Sequence, residues 1–145
     1  MTCSFKRGTV RVPADEEPSW AEVASPIVPQ TLVNWFAECS RLREVRELEL
    51  LDTSHAEHLS GLFWNCTALE ALNLSGFDFS SATTMLFMFR NCSSLAALRM
   101  PGVSPERADK IRMGAMFEGT DSLGDTPQHL VELVRSGTGV SIGNL

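Results

Sequence analysis

The sequence predicts an α/β repeat solenoid: three to four short coils held between an N-terminal cap and a C-terminal capping helix. Two observations carry that expectation. The segment Leu62-Phe63-Trp64-Asn65-Cys66-Thr67-Ala68-Leu69 returns as Met88-Phe89-Arg90-Asn91-Cys92-Ser93-Ser94-Leu95, with fainter echoes at 35–42 and 116–123. Phe36, Phe63, Phe89 and Phe117 are thereby separated by 27, 26 and 28 residues. A period of that size marks short units that each bury an apolar face on their neighbours.

The elements follow in chain order. Residues 1–34 form an extended capping segment, because Pro13, Pro18, Pro26 and Pro29 oppose a long helix. Within it, Phe5 to Val12 suits a short edge strand, and Ser19-Trp20-Ala21-Glu22 fits a capping box opening one helical turn. Leu32, Trp35, Phe36 and Cys39 recur at helical spacing and predict a short helix entering the first coil.

Residues 35–125 hold the coils. Each begins with a strand such as Leu69–Leu74 or Leu95–Met100, whose last three residues alternate in and out. A polar turn follows, Asp52-Thr53-Ser54 or Asp78-Phe79-Ser80-Ser81, where short side chains bond nearby backbone. A helical turn then returns the chain. The first unit carries one residue more than the next, leaving its strand register over 46–50 open. Pro101 and Pro105 predict an irregular last coil. Thr126 and Pro127 read as N-cap and first helical position of a capping helix over 126–137, apolar at Leu130, Val131, Leu133 and Val134 and ended by Gly137. Residues 138–145 are expected as a flexible tail.

Composition narrows the function. At 145 residues and 43% hydrophobic the chain is one domain able to bury a core. A net charge of -6 excludes nucleic acid, which needs clustered Lys and Arg. No run approaches the roughly 20 apolar residues of a membrane span. Lys6 and Arg7 have no apolar run behind them, so the chain as written lacks a signal peptide and is cytoplasmic, unless a leader has been removed. Cys39, Cys66 and Cys92 share one phase with Thr120. They read as a ladder of buried reduced thiols, although the strand spacing also permits a disulfide. Zinc-type spacing is missing, and no cofactor or metal is expected.

The second unit resembles the BspA-like leucine-rich-repeat family, of general form L-x-x-L-x-L-S-x-F-D-T-S-x-x-x-x-M-x-x-M-F-x-x-C-x-x-L. The matching residues are Leu69, Leu72, Leu74, Ser75, Phe77, Asp78, Ser80, Met85, Met88, Phe89, Cys92 and Leu95. The similarity covers about residues 28–123. It implies a small right-handed leucine-rich-repeat-like stack in a bacterial protein, surface-exposed or secreted, that recognises other macromolecules.

Two groups of residues are candidate contacts. Asn73 and Arg99 take equivalent outward strand positions, with Glu49 or Glu47 as their partner in the first unit, and would form a polar strip; the same residues also suit an ordinary solvated face. Trp64 occupies the position of Ala37, Arg90 and Glu118, a slot that accepts charge and therefore faces solvent. Phe79 (against Thr53 and Pro105) and Phe87 (against Gly61 and Ala115) stand out by the same test. With Arg90 they would make an aromatic ridge of the kind that anchors interfaces, or pack on local turns. His55 and His58 flank Glu57 in a polar turn without the His-Glu-x-x-His arrangement, and no nucleophile elbow or phosphate loop occurs. The expected function is a non-enzymatic module that binds a protein partner through the strip or the ridge; the alternative is a structural cap or spacer of a larger bacterial surface adhesin.

Overall fold

The computed structural model describes residues 9–14 and 17–145. Cys3 and the first part of the strand expected over 5–12 lie outside the described residues. The rest of that strand is β1 (Val10–Arg11), antiparallel to β2 (Trp20–Val23), which runs parallel to β3 (Glu44–Arg46). The helical turn expected at Ser19–Glu22 is therefore strand. Ala21 and Val23 are buried while Trp20 and Glu22 stay partly exposed, a period of two that overrides the capping signal. A second sheet joins β4 (Ala71–Asn73), β5 (Ala97–Met100) and β6 (Val140–Ile142), with β4 parallel and β6 antiparallel to β5.

This arrangement overturns the expected α/β repeat solenoid. The strands collect in two separate three-stranded mixed sheets, not in one parallel sheet to which every unit adds a strand. The physical reason lies at the ends of the repeat. After β3 the chain turns left-handed at Glu47 (φ 61°) and enters a 3-10 turn over Leu48–Leu50, so the first unit pairs backward with β2 and not forward with β4. The last unit, with Pro101 and Pro105, forms a four-residue helix, α1 (Pro105–Ala108), and leaves the edge of β5 to β6. Residues 138–145 are accordingly not a loose tail. Val140 is buried, and Arg99 donates to the carbonyls of Ile142 (2.8 Å) and Gly143 (2.7 Å).

Between the strands, four segments lie one upon another as rows. Their backbone is a chain of i→i+3 turns, such as Trp35 N–H to Leu32 and Ala37 N–H to Asn34, and not the expected helix. Left-handed residues at Asn34 and Glu38, Gly61 and Asn65, Phe87 and Asn91, and Ala115 and Gly119 break each helix after one turn. Isolated parallel bridges join Thr31 to His58, His58 to Thr84 and Thr84 to Arg112. The rows bring Phe36, Phe63, Phe89 and Phe117 into one column, with ring centroids 5.5, 5.9 and 5.2 Å apart and nearly parallel planes. All four rings are fully buried.

The cysteine positions stack beside that column. Cys39 is disulfide-bonded, so the expected ladder of three reduced thiols shrinks to Cys66 and Cys92, which are free and buried. Their sulfurs donate to the carbonyls of Phe36 (2.9 Å) and Phe63 (3.0 Å). Burial pushes the Cys66 thiol well up and the Cys92 thiol to about 12, leaving both inert as nucleophiles. Helix α2 (Pro127–Arg135) leads into β6, its N-terminus capped by the Thr126 hydroxyl, which accepts from the His129 N–H at 3.1 Å.

Candidate functional site

Trp64 and Phe87 sit on adjacent rows with ring centroids 6.4 Å apart and planes tilted by 34°. The Arg90 guanidinium carbon lies 5.5 Å from the centre of the Phe87 ring, and Arg90 reaches Glu118 on the next row at 3.8 Å. Three of the expected ridge residues thus converge. Trp64 and Arg90 are half-buried, and Phe87 is 37% exposed.

The backbone of Phe87 is the site's least economical feature. Its φ of 59° lies in the left-handed region, in the same slot as Asn34 (56°), Gly61 (67°) and Ala115 (52°). Bulky side chains rarely enter that region. Gly61 fits because a Cβ there would stand 2.0 Å from Asn34 Oδ1. A phenylalanine in this slot is strained and faces solvent, a pairing that points to function more than to folding.

Phe79 is a correction. It is 4% exposed and packs edge-on against Phe77 at 6.1 Å. Its equivalent Thr53 is itself 1% exposed, with its hydroxyl accepting from the Asp78 N–H at 2.7 Å, so the slot faces inward. Arg107 covers this region by donating to the carbonyls of Phe79 and Ala82, both at 2.8 Å.

The polar strip is only partly assembled. Asn73 and Arg99 are register partners on β4 and β5. Glu49 lies in the 3-10 turn outside both sheets, and it shares with Asn73 a cavity of about 330 Å³ between β3 and β4 that Leu145 also lines. Glu47 beside it is held above the ordinary carboxyl range by its hydrogen bond to Glu49 and by that neighbour's charge. Arg99 spends its donors on β6. His55 and His58 are exposed on the polar turn. Among the described residues no group of three or more His, Cys, Asp or Glu could hold a metal ion, and no helix is long and apolar enough to cross a membrane.

The comparisons with known proteins add a family. The sequence pattern described as "Mycoplasma protein of unknown function, DUF285" matches residues 30–126, which span all four rows, β3, β4, β5 and α1. No curated protein and no solved structure matches the chain.

Proposed function

We propose that this chain, which belongs to the DUF285 family of Mycoplasma proteins of unknown function, is a non-enzymatic module that binds a protein partner through the ridge of Trp64, Phe87 and Arg90. The observation that carries the reading is Phe87: an exposed aromatic held in a left-handed backbone slot that its equivalents fill with Asn, Gly and Ala. Tryptophan, arginine and their neighbours are the residue types that concentrate binding energy at interface centres. The resemblance to BspA-like proteins, which recognise other macromolecules, points the same way. Because Arg99 is committed to the terminal segment and Glu49 lies outside both sheets, the ridge, reduced by the burial of Phe79 to Trp64, Phe87 and Arg90, and not the strand strip is the contact surface.

The test is affinity capture from the native host with wild-type protein and with Trp64→Ala, read by mass spectrometry alongside a denaturation curve. The expected outcome is a set of proteins held by the wild type and lost by the variant, while the unfolding midpoint barely moves. A variant that unfolds places Trp64 in the core and ends the proposal; an unchanged captured set ends it too.

A further inference from the structure

The row-to-row hydrogen bonds follow one rule. Leu32, Asn34, Phe36 and Glu38 donate their N–H groups to the carbonyls of His58, Ser60, Leu62 and Trp64 at 2.8, 3.1, 3.0 and 2.7 Å. Leu59, Gly61, Phe63 and Asn65 donate to Thr84, Leu86, Met88 and Arg90 at 2.9, 2.9, 2.9 and 2.8 Å. Met85, Phe87, Phe89 and Asn91 donate to Arg112, Gly114, Met116 and Glu118 at 2.7, 3.2, 3.0 and 2.8 Å. The fourth set is Met113, Ala115, Phe117 and Gly119. Among the described residues their N–H groups have no backbone acceptor.

Three of those residues, Met113, Ala115 and Phe117, line an open groove. A cavity of about 720 Å³ is floored by Met113, Met116 and Phe117 and walled by Pro127, Gln128 and Val131 of α2. Backbone donors without partners are rare in folded proteins, and an unpaired edge is a template for another chain. Three times within this molecule the same row of donors is answered by alternate carbonyls of a neighbouring row that is itself built of turns and runs parallel to it.

We infer that this groove binds a segment of a partner protein that takes up the same turns as the rows, lies parallel to the last of them and offers alternate carbonyls to the N–H groups of Met113, Ala115, Phe117 and Gly119. The mode is backbone-directed addition to an exposed edge. The lining is apolar at Met113, Met116, Pro127 and Val131, and its two charges, Glu118 and Arg135, already face Arg90 and Asp109, so the segment carries apolar side chains at its centre. A second copy of this chain is the wrong occupant. It would have to present its first row, yet Trp35, Phe36, Ala37 and Cys39 on that row are already buried within the single chain. Trp64 does not line the groove, whereas Glu118, the ion-pair partner of Arg90, does; Trp64→Ala is therefore the variant that separates the groove from the ridge.

The probe is a synthetic peptide of residues 57–65, the segment whose carbonyls answer the first row. It is titrated into the full chain while amide shifts and hydrogen exchange are followed. The expected result has two parts. Before addition, the amides of Ala115, Phe117 and Gly119 exchange faster than those of Phe87, Phe89 and Asn91; on addition they shift and slow by about tenfold or more. Reducing the Ser60 and Leu62 carbonyls of the peptide to methylenes weakens binding by about tenfold or more. So does Gln128→Trp, which fills the groove from an exposed position of α2. Trp64→Ala leaves peptide binding unchanged. The inference is overturned if the row-four amides are already protected in the free protein, if the reduced peptide binds as well as the parent, or if the chain instead pairs with itself and doubles its mass.

Discussion

Phe63 lies between two parallel rings, 5.5 Å from Phe36 and 5.9 Å from Phe89, with no exposure to solvent. Removing it deletes ring contacts on both faces and leaves a cavity that neighbours cannot close. Phe63→Ala is therefore expected to cost about 3–5 kcal/mol, read from chemical denaturation at constant m-value. Phe87 behaves in the opposite sense. Phe87→Asn places a residue tolerant of left-handed backbone in a slot where Asn34 already sits, so the protein should keep its stability or gain up to about 1 kcal/mol. The same substitution is expected to weaken capture of the partner. A variant that loses several kcal/mol would show the ring to be structural and not exposed for binding. The two phenylalanines share a repeat yet differ in kind.

At the scale of an element, β6 depends on one side chain from another strand. Arg99 holds two carbonyls of the terminal segment while Leu98, Arg99 and Met100 pair with Ile142, Ser141 and Val140. Arg99→Met keeps the aliphatic stem and removes the donors. Hydrogen exchange at Ser141 and Ile142 is then expected to speed up by at least about tenfold, while amides of the phenylalanine column stay as slow as before. Uniform acceleration across the chain would mean that Arg99 supports the whole fold and not this strand alone. Sequence reading missed β6 because its three residues find their partner some 40 positions earlier, a pairing that local pattern does not record. Helix α2 was legible for the converse reason: Thr126, Pro127 and the apolar stripe specify it locally.

Across the whole molecule, the signals that survived are those with strict phase. The phenylalanines align because each row repeats the same turns, and the Asp-x-Ser turns form as their short side chains dictate. What misled was the inference from residue type to exposure. Thr53 and Pro105 suggested a wet slot at Phe79, but Thr53 is buried with its hydroxyl bonded to backbone. The helical spacing of Leu32, Trp35, Phe36 and Cys39 likewise reported a shared buried face, and the left-handed Asn34 and Glu38 make that face from turns instead. The sheet division was hidden in a single extra residue after β3.

The polar turns also set an acid limit. Ser54 and Ser80 bond the carboxyls of Asp52 and Asp78 through side chain and backbone, and hold both below the ordinary value of 3.8. A depressed folded value means that the unfolded chain takes up the proton first as pH falls. The stability from these turns is complete above the ordinary value and is lost as pH drops through the folded one. In the Asp52→Ala, Asp78→Ala double variant the urea midpoint should start lower at neutral pH and fall less steeply between about pH 5 and about pH 2. Parallel curves for the two proteins would exclude these carboxylates as the source.

The break between β3 and β4 has a mechanical consequence. On the row side, five backbone bonds join the first unit to the second; on the sheet side no backbone bond joins β3 to β4 among the described residues. Such a body is stitched along its spine and unsewn at its fore-edge. Under load or thermal agitation it will gape there first, swinging its leading third away about the phenylalanine column like the cover of a book.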